Sequence, residues 1–196
     1  ITIDGHNHAL SIAGNNQVAV SAGAVLTLRN MVLRLSTSAT AFVLSGSSTL
    51  VLENVRVYWG TSYTANAGSI TIKGNTTFSG TPGDTITYGS SGNFTIDSQS
   101  SLLLDFGVKF KHNYGSADNF VFTDRTSRLL MMGSTFESAA RNLLLTQGTI
   151  IADHYSVIKG TPSTTGSVTF GSSSEGLELF LVLLPAATIE MIPLAS

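Results

Sequence analysis

The chain has 196 residues, enough for one domain with a substantial core, yet only 11% of them are charged, against about 25% in an ordinary globular domain. Its 10 basic and 12 acidic residues are scattered without blocks and leave a net charge of -2, which gives no electrostatic footprint for nucleic acid. Cysteine is absent, excluding a disulfide scaffold and thiolate metal sites.

The longest apolar run, Leu179 to Leu184, stops at Pro185, far short of the roughly 20 residues of a membrane-spanning helix. No basic stretch followed by an apolar one opens the chain, so any signal peptide is expected to have been removed. Abundant Ser, Thr, Gly and Asn with few Lys and Glu suits short strands joined by turns and reads poorly as helix.

Taken in order, the chain keeps returning to one plan, in which two apolar residues bracket an outward one and are followed by a charge, a turn residue and a second apolar pair. Ile1-Thr-Ile-Asp-Gly5 is a partial copy. Val25 to Leu33, Leu50 to Val57, Ile70 to Phe78 and Leu102 to Phe110 are full ones, with weaker copies at Leu129 to Phe136 and Ile150 to Val157. The first apolar residues fall at 26, 50, 70, 102, 129 and 150, so the intervals are 24, 20, 32, 27 and 21, the period of a solenoid. Copies this short cannot bury an apolar face alone; stacking them in parallel about 4.8 Å apart makes one continuous core.

Phe42-Val-Leu44, Ile86-Thr-Tyr88, Phe120-Val-Phe122 and Leu143-Leu-Leu145 supply further strands, giving two or three per coil. The long interval from Ile70 to Leu102 holds Thr81-Pro-Gly-Asp84 and Gly89-Ser-Ser-Gly92, so a loop excursion or an extra partial strand is expected there. The expected fold is all-β: a single-domain right-handed parallel β-helix (β-solenoid) of about six to eight coils over residues 1–170. An apolar tail over 171–196 is expected to act as cap or subunit interface.

In this alignment Asp4, Arg29, Glu53, Lys73 and Asp105 share a column whose signs alternate at every step. Opposite charges at neighbouring heights fix register more than they stabilise, since like charges there would repel. The next column reads Gly5, Asn30, Asn54, Gly74, Phe106 and Gly133. Gly and Asn accept a left-handed backbone, so the strand turns a corner here, with Asn30 and Asn54 stacked.

The opening Ile1-Thr-Ile-Asp-Gly-His-Asn-His-Ala-Leu10 resembles the first coil of right-handed parallel β-helix proteins, the pectate-lyase-like group among them. The later Leu-x-Leu-x-Asn copies resemble autotransporter passenger domains and polymorphic outer-membrane proteins. The resemblance covers most of residues 1–170 and assigns no specific family: Phe110-Lys-His-Asn113 is a single match to the Phe-x-x-Asn repeat, and Gly-Gly-Ala never occurs. The resemblance to polysaccharide lyases would imply an Asp cluster for calcium with a basic residue beside it. Here Asp84, Asp97, Asp105, Asp118, Asp124 and Asp153 are scattered, and an alternating column neutralises itself, so neither catalysis, a metal nor a cofactor is expected. His6 and His8 read as a solvated turn rather than as ligands.

Tyr58, Trp59 and Tyr63 gather in one stretch that could stack on sugars or anchor a partner. Thr2, Thr27 and Thr71 hold the outward centre of the strand, and that position turns apolar at Leu103, Leu130 and Ile151. An apolar outward column marks an interface, to be covered by the tail, with Leu179, Phe180 and Leu181, or by another subunit. The expected function is non-enzymatic: an extracellular or cell-surface structural or adhesive solenoid stacking end to end into a fibre. Its expected partners are copies of itself and surface glycans, with no nucleic acid and no membrane span. The alternative is a carbohydrate-binding or polysaccharide-degrading protein of the same fold.

Overall fold

The computed structural model describes residues 1–14, 17–35, 41–114, 119–139, 142–153, 155–160, 167–174 and 176–191. Every described element is a strand. The first coil is β1 (Thr2–Asp4), β2 (Ala9–Ile12) and β3 (Val18–Val20). In the next two coils the first two segments fuse through the corner into one strand of 11 residues, β4 (Val25–Leu35), followed by β5 (Phe42–Leu44), and then β6 (Thr49–Trp59), followed by β7 (Tyr63–Ala65). The fourth and fifth coils are β8 (Ser69–Lys73), β9 (Asn75–Gly80), β10 (Thr85–Tyr88), then β11 (Phe94–Ile96), β12 (Ser101–Leu104), β13 (Lys109–His112). The sixth and seventh are β14 (Phe120–Phe122), β15 (Arg128–Met132), β16 (Thr135–Ser138), then β17 (Asn142–Leu145), β18 (Gly148–Asp153), β19 (Val157–Gly160). The last is β20 (Ser167–Phe170), β21 (Leu179–Leu183) and β22 (Thr188–Met191).

All pairings are parallel, and each strand pairs with its counterpart one coil away. The chain is therefore a parallel β-solenoid with three columns. The second column is unbroken, through β2, β4, β6, β9, β12, β15, β18 and β21. The first column breaks between β14 and β17, and the third between β5 and β7. At each gap a side chain substitutes for the ladder. Gln147 Nε2 donates to the carbonyls of Phe122 and Thr123, both at 2.9 Å, and Tyr63 Oη donates to the Phe42 carbonyl at 3.1 Å. A buried carbonyl at a break still needs a donor, and these two long side chains reach it.

Alternation along each strand sends every second residue inward. The upper core is mainly aliphatic, with Leu28, Leu33, Leu35, Leu50, Leu52 and Val57 at 2% exposure or less, beside the buried rings of Phe42, Trp59 and Tyr63. The lower core is aromatic: Phe94 and Phe120 stack at 5.2 Å, Phe110 and Phe136 at 5.9 Å, and the two pairs meet edge-on. The interior leaves a void of about 10 Å³ beside Trp59 and Tyr88, room for one water at most and too small for a ligand.

One expectation about order along the chain is corrected. From Leu102 onward the repeat belongs to a different column: Leu102, Leu129 and Ile150 lie in β12, β15 and β18 of the second column, aligned with Thr76. The partners of Ile70 in the first column are Phe94 and then Phe120. The long interval is filled by β10 and β11, so of the two alternatives expected there the extra strand is the one present. The slip arises because a Leu-x-Leu pair has the same appearance on either side of the corner. Within 171–196, β21 and β22 continue the second and third columns as a further coil.

Candidate functional site

The corner between the first two columns is built by backbone demand. Asn30 and Asn54 take φ of 51° and 54°, and Gly74, in the next coil, takes 57°. Asn54 Nδ2 donates to Asn30 Oδ1 at 3.4 Å, and Asn30 Nδ2 donates to Asp4 at 3.4 Å. Asn54 Oδ1 also accepts the Asn75 backbone N–H at 2.9 Å. A Cβ on Gly74 would overlap Asn54 Oδ1, so the polar stack requires glycine at that level.

Beside the corner, Asp4 pairs with Arg29, Arg29 with Glu53, and Glu53 with Lys73 in register. Arg29 Nε donates to Asp4 at 2.8 Å. The fifth charge is Asp97, whose carboxylate meets Lys73 Nζ at 3.4 Å. Asp105, expected there, follows Leu104 in the second column and accepts a hydrogen bond from Ser79 Oγ at 3.0 Å, a consequence of the same column slip. Phe106 and Gly133 likewise leave the asparagine corner for the turn between the second and third columns. The His6 backbone N–H, helped by Asn30 and Arg29, holds the Asp4 carboxyl below its ordinary value.

A second alternating column escapes the sequence reading. Lys111, Glu137, Lys159 and Glu190 are consecutive in register on the outer side of the third column. Glu137 is 4% exposed, gripped by Lys109 at 2.6 Å and Lys111 at 3.2 Å. Their intervals of 26, 22 and 31 residues are the signal that could have found them.

The aromatic group separates. Trp59 and Tyr63 face the core at 6% and 2% exposure and stack at 4.8 Å, so they are not open to surface contacts. Alternation explains this: Val55, Val57 and Trp59 share the inward side of β6, and Tyr63 opens β7 on that side. Tyr58 alone points outward, half-buried, with the Arg34 guanidinium 5.1 Å over its ring.

The chain matches no family model, no curated protein and no solved structure. What the molecule can do therefore follows from its own surface.

Leu103, Leu130 and Ile151 are half-buried and in register, but in the second column rather than below the threonines. The column above Leu103 holds Val32, Arg56 and Thr77. The threonine positions continue instead through Thr2, Thr27, Val51, Thr71, Thr95 and Val121. The described residues of the tail do not cover the apolar column. They lengthen it, because Val182 falls in register with Ile151. Leu179 and Leu181 turn inward against the core, whereas Phe180 points out at 53% exposure.

Among the carboxylates, Asp124 is held below its ordinary value by the Thr126 hydroxyl and amide, an isolated local turn. Asp118 lies outside the described residues. No group of three or more His, Asp or Glu side chains among the described residues could hold a metal ion. Two solvent-exposed aromatics occupy the turn between the second and third columns, Phe106 at 69% and Tyr155 at 78%. Tyr155 takes φ of 64° at the turn position filled by Gly107 two coils above, a conformation that is strained for a bulky residue.

Proposed function

We propose that the protein is a non-enzymatic structural β-solenoid, a stiff rod segment of an extracellular or cell-surface assembly that extends end-on through its terminal coils. The observation that carries this reading is the second column, in which every coil from β2 to β21 stacks in parallel on the next without a break. Residues that are nearly fully buried mid-rod have counterparts at the ends that remain exposed: Ile3 at 44% above Leu28 at 1%, Leu183 at 43% below Ala152 at 0%, and Ile189 at 42% below Ile158 at 3%. Among the described residues the strands at the first and last levels also have one ladder edge unpaired, which invites further pairing. Because every coil runs in the same direction, the edge of β20, β21 and β22 suits the edge of β1, β2 and β3 in a head-to-tail contact that does not close on itself.

Sedimentation velocity over a wide concentration range tests this. Species lengthening with concentration are expected, and Ile3→Asp or Leu183→Asp is expected to stop growth. A single compact monomer at every concentration contradicts the reading.

A second reading, recognition of surface glycans, is favoured by Phe106 and Tyr155 rather than by the aromatics singled out in the sequence. Exposed rings beside the acceptors Asp105 and Asp153 suit stacking on sugar faces. Binding in a glycan screen that disappears in Phe106→Ala/Tyr155→Ala supports it; no binding removes it.

A further inference from the structure

The outer side of the second column, over its last four levels, has a pattern that two copies can share. Its centre is apolar throughout, Leu103, Leu130, Ile151 and Val182. One rim reads Ser101, Arg128, Thr149 and Phe180, from the fifth coil to the eighth. The other rim reads Asp105, Met132, Asp153 and Leu184 at the same four levels. Met132 is 44% exposed and Leu184 39%.

A two-fold axis that runs parallel to the rod, just outside this face, sets one rim against the other at equal height. Thr149 then meets the second copy's Asp153, a hydroxyl donor facing a carboxylate, while Ser101, whose Oγ donates to Asn75 Oδ1 at 2.8 Å, lies opposite Asp105. Phe180 meets Leu184. Arg128 meets Met132, with Asp105 and Asp153 about 4.8 Å above and below it, within reach of a long guanidinium. The opposite choice, an axis along the strands, sets each rim against itself upside down. Asp105 would then face Leu184, Met132 would face Asp153, and Ser101 would face Phe180. The face is complementary to itself in one orientation and mismatched in the other, and electrostatic matching of this kind selects register.

We infer that two copies pair side by side and in parallel through this face, forming a laterally doubled rod. The pairing stands apart from end-on growth, which uses the ladder edges and inward side chains of the terminal coils rather than this outer face. Four levels about 4.8 Å apart and five residues about 3.3 Å apart give roughly 300 Å² per copy, against about 800 Å² per partner in a standard interface. The pair is therefore weak and concentration-dependent. Growth of the rod, which repeats the face, strengthens it by multivalency.

The chain has no cysteine, so single cysteines report the geometry directly. In the Ile3→Asp background, which removes end-on contact, Leu103→Cys and Val182→Cys are each oxidised alone and as a mixture, with circular dichroism confirming the fold. Parallel pairing places each centre-column residue opposite its own copy, so each variant alone forms a covalent dimer. Arg128→Asp is expected to weaken pairing in sedimentation equilibrium at least about tenfold, and adding Asp105→Arg and Asp153→Arg to restore most of it. Crosslinking only in the mixture, or in no sample, overturns the inference, as does pairing unaffected by Arg128→Asp.

Discussion

The upper and lower halves of the rod solve the same stacking problem with different chemistry. In the upper half the coil turns its first corner without breaking the strand, as in β4 and β6, and register is fixed by polar groups at that corner: Asn30, Asn54 and the alternating charges beside them. The core beneath is mainly aliphatic, with rings only toward its second and third columns, at Phe42, Trp59 and Tyr63. In the lower half the strands are short and separated by turns, and the core is a cluster of four phenylalanine rings with fixed mutual geometry. There register is held from within, by aromatic packing, and by a carboxylate buried between lysines. A solenoid needs a register device at every level, and the type of core decides whether the device sits at the corner or inside.

Removing a ring tests the lower device most severely. Phe120 touches Phe94, Phe110 and Phe136, so Phe120→Ala should cost about 3–5 kcal/mol, read by chemical denaturation. A comparable loss from an exposed threonine of the first column, such as Thr95→Ala, would show that the cluster is not special.

The two charge columns differ in burial, and so should their contributions. Glu137→Gln leaves Lys109 and Lys111 without their shared carboxylate and should cost about 1–3 kcal/mol, whereas Asp97→Asn, opposite the exposed Lys73, should cost less than about 1 kcal/mol. Equal values would erase the distinction.

The lower half also contains a titration. His112 is fully buried between Tyr88 and Ser138, its Nε2 bonded to the Asn119 side chain, whose Nδ2 donates to the Ser90 and Gly92 carbonyls. Burial lowers the imidazole below its ordinary 6.5, outweighing the Asn119 bond. Tyr88, pushed up to about 12, stays neutral. Because the unfolded chain binds the proton more readily, stability is complete above pH 6.5 and falls as pH drops below it, by up to about 1.4 kcal/mol per unit until the folded value is reached. His112→Gln should flatten that slope in denaturation series at pH 5 to 7; an unchanged slope would assign it elsewhere.

Asn54→Ala in the upper half removes one link of the corner stack and a left-handed preference. It should cost about 1 kcal/mol, with Asn54→Gly losing the hydrogen bonds but keeping the turn.

The alternation of apolar residues and the Asn and Gly turns make the solenoid legible, because both follow from local backbone rules. The phase after Ile72 is not legible in the same way. Leu102-Leu-Leu104 and Ile70-Thr-Ile72 carry the same inward pattern, and only pairing across coils tells which column each occupies. The same slip displaces Asp105. Trp59 misleads for a different reason: Gly60, Thr61 and Ser62 suggest a loop, although the alternation Val55, Val57, Trp59 runs straight through it. Glu137 escapes notice because a buried carboxylate is recognisable only once the third column is aligned.

If the terminal coils are joining surfaces, the length of the rod must depend on concentration. Negative-stain electron microscopy of the purified protein across a concentration series addresses this most directly. Rods of uniform width whose length grows with concentration, and which Ile3→Asp shortens to single units, are the predicted result. Separate short rods of one length at every concentration, unchanged by Ile3→Asp, would contradict it.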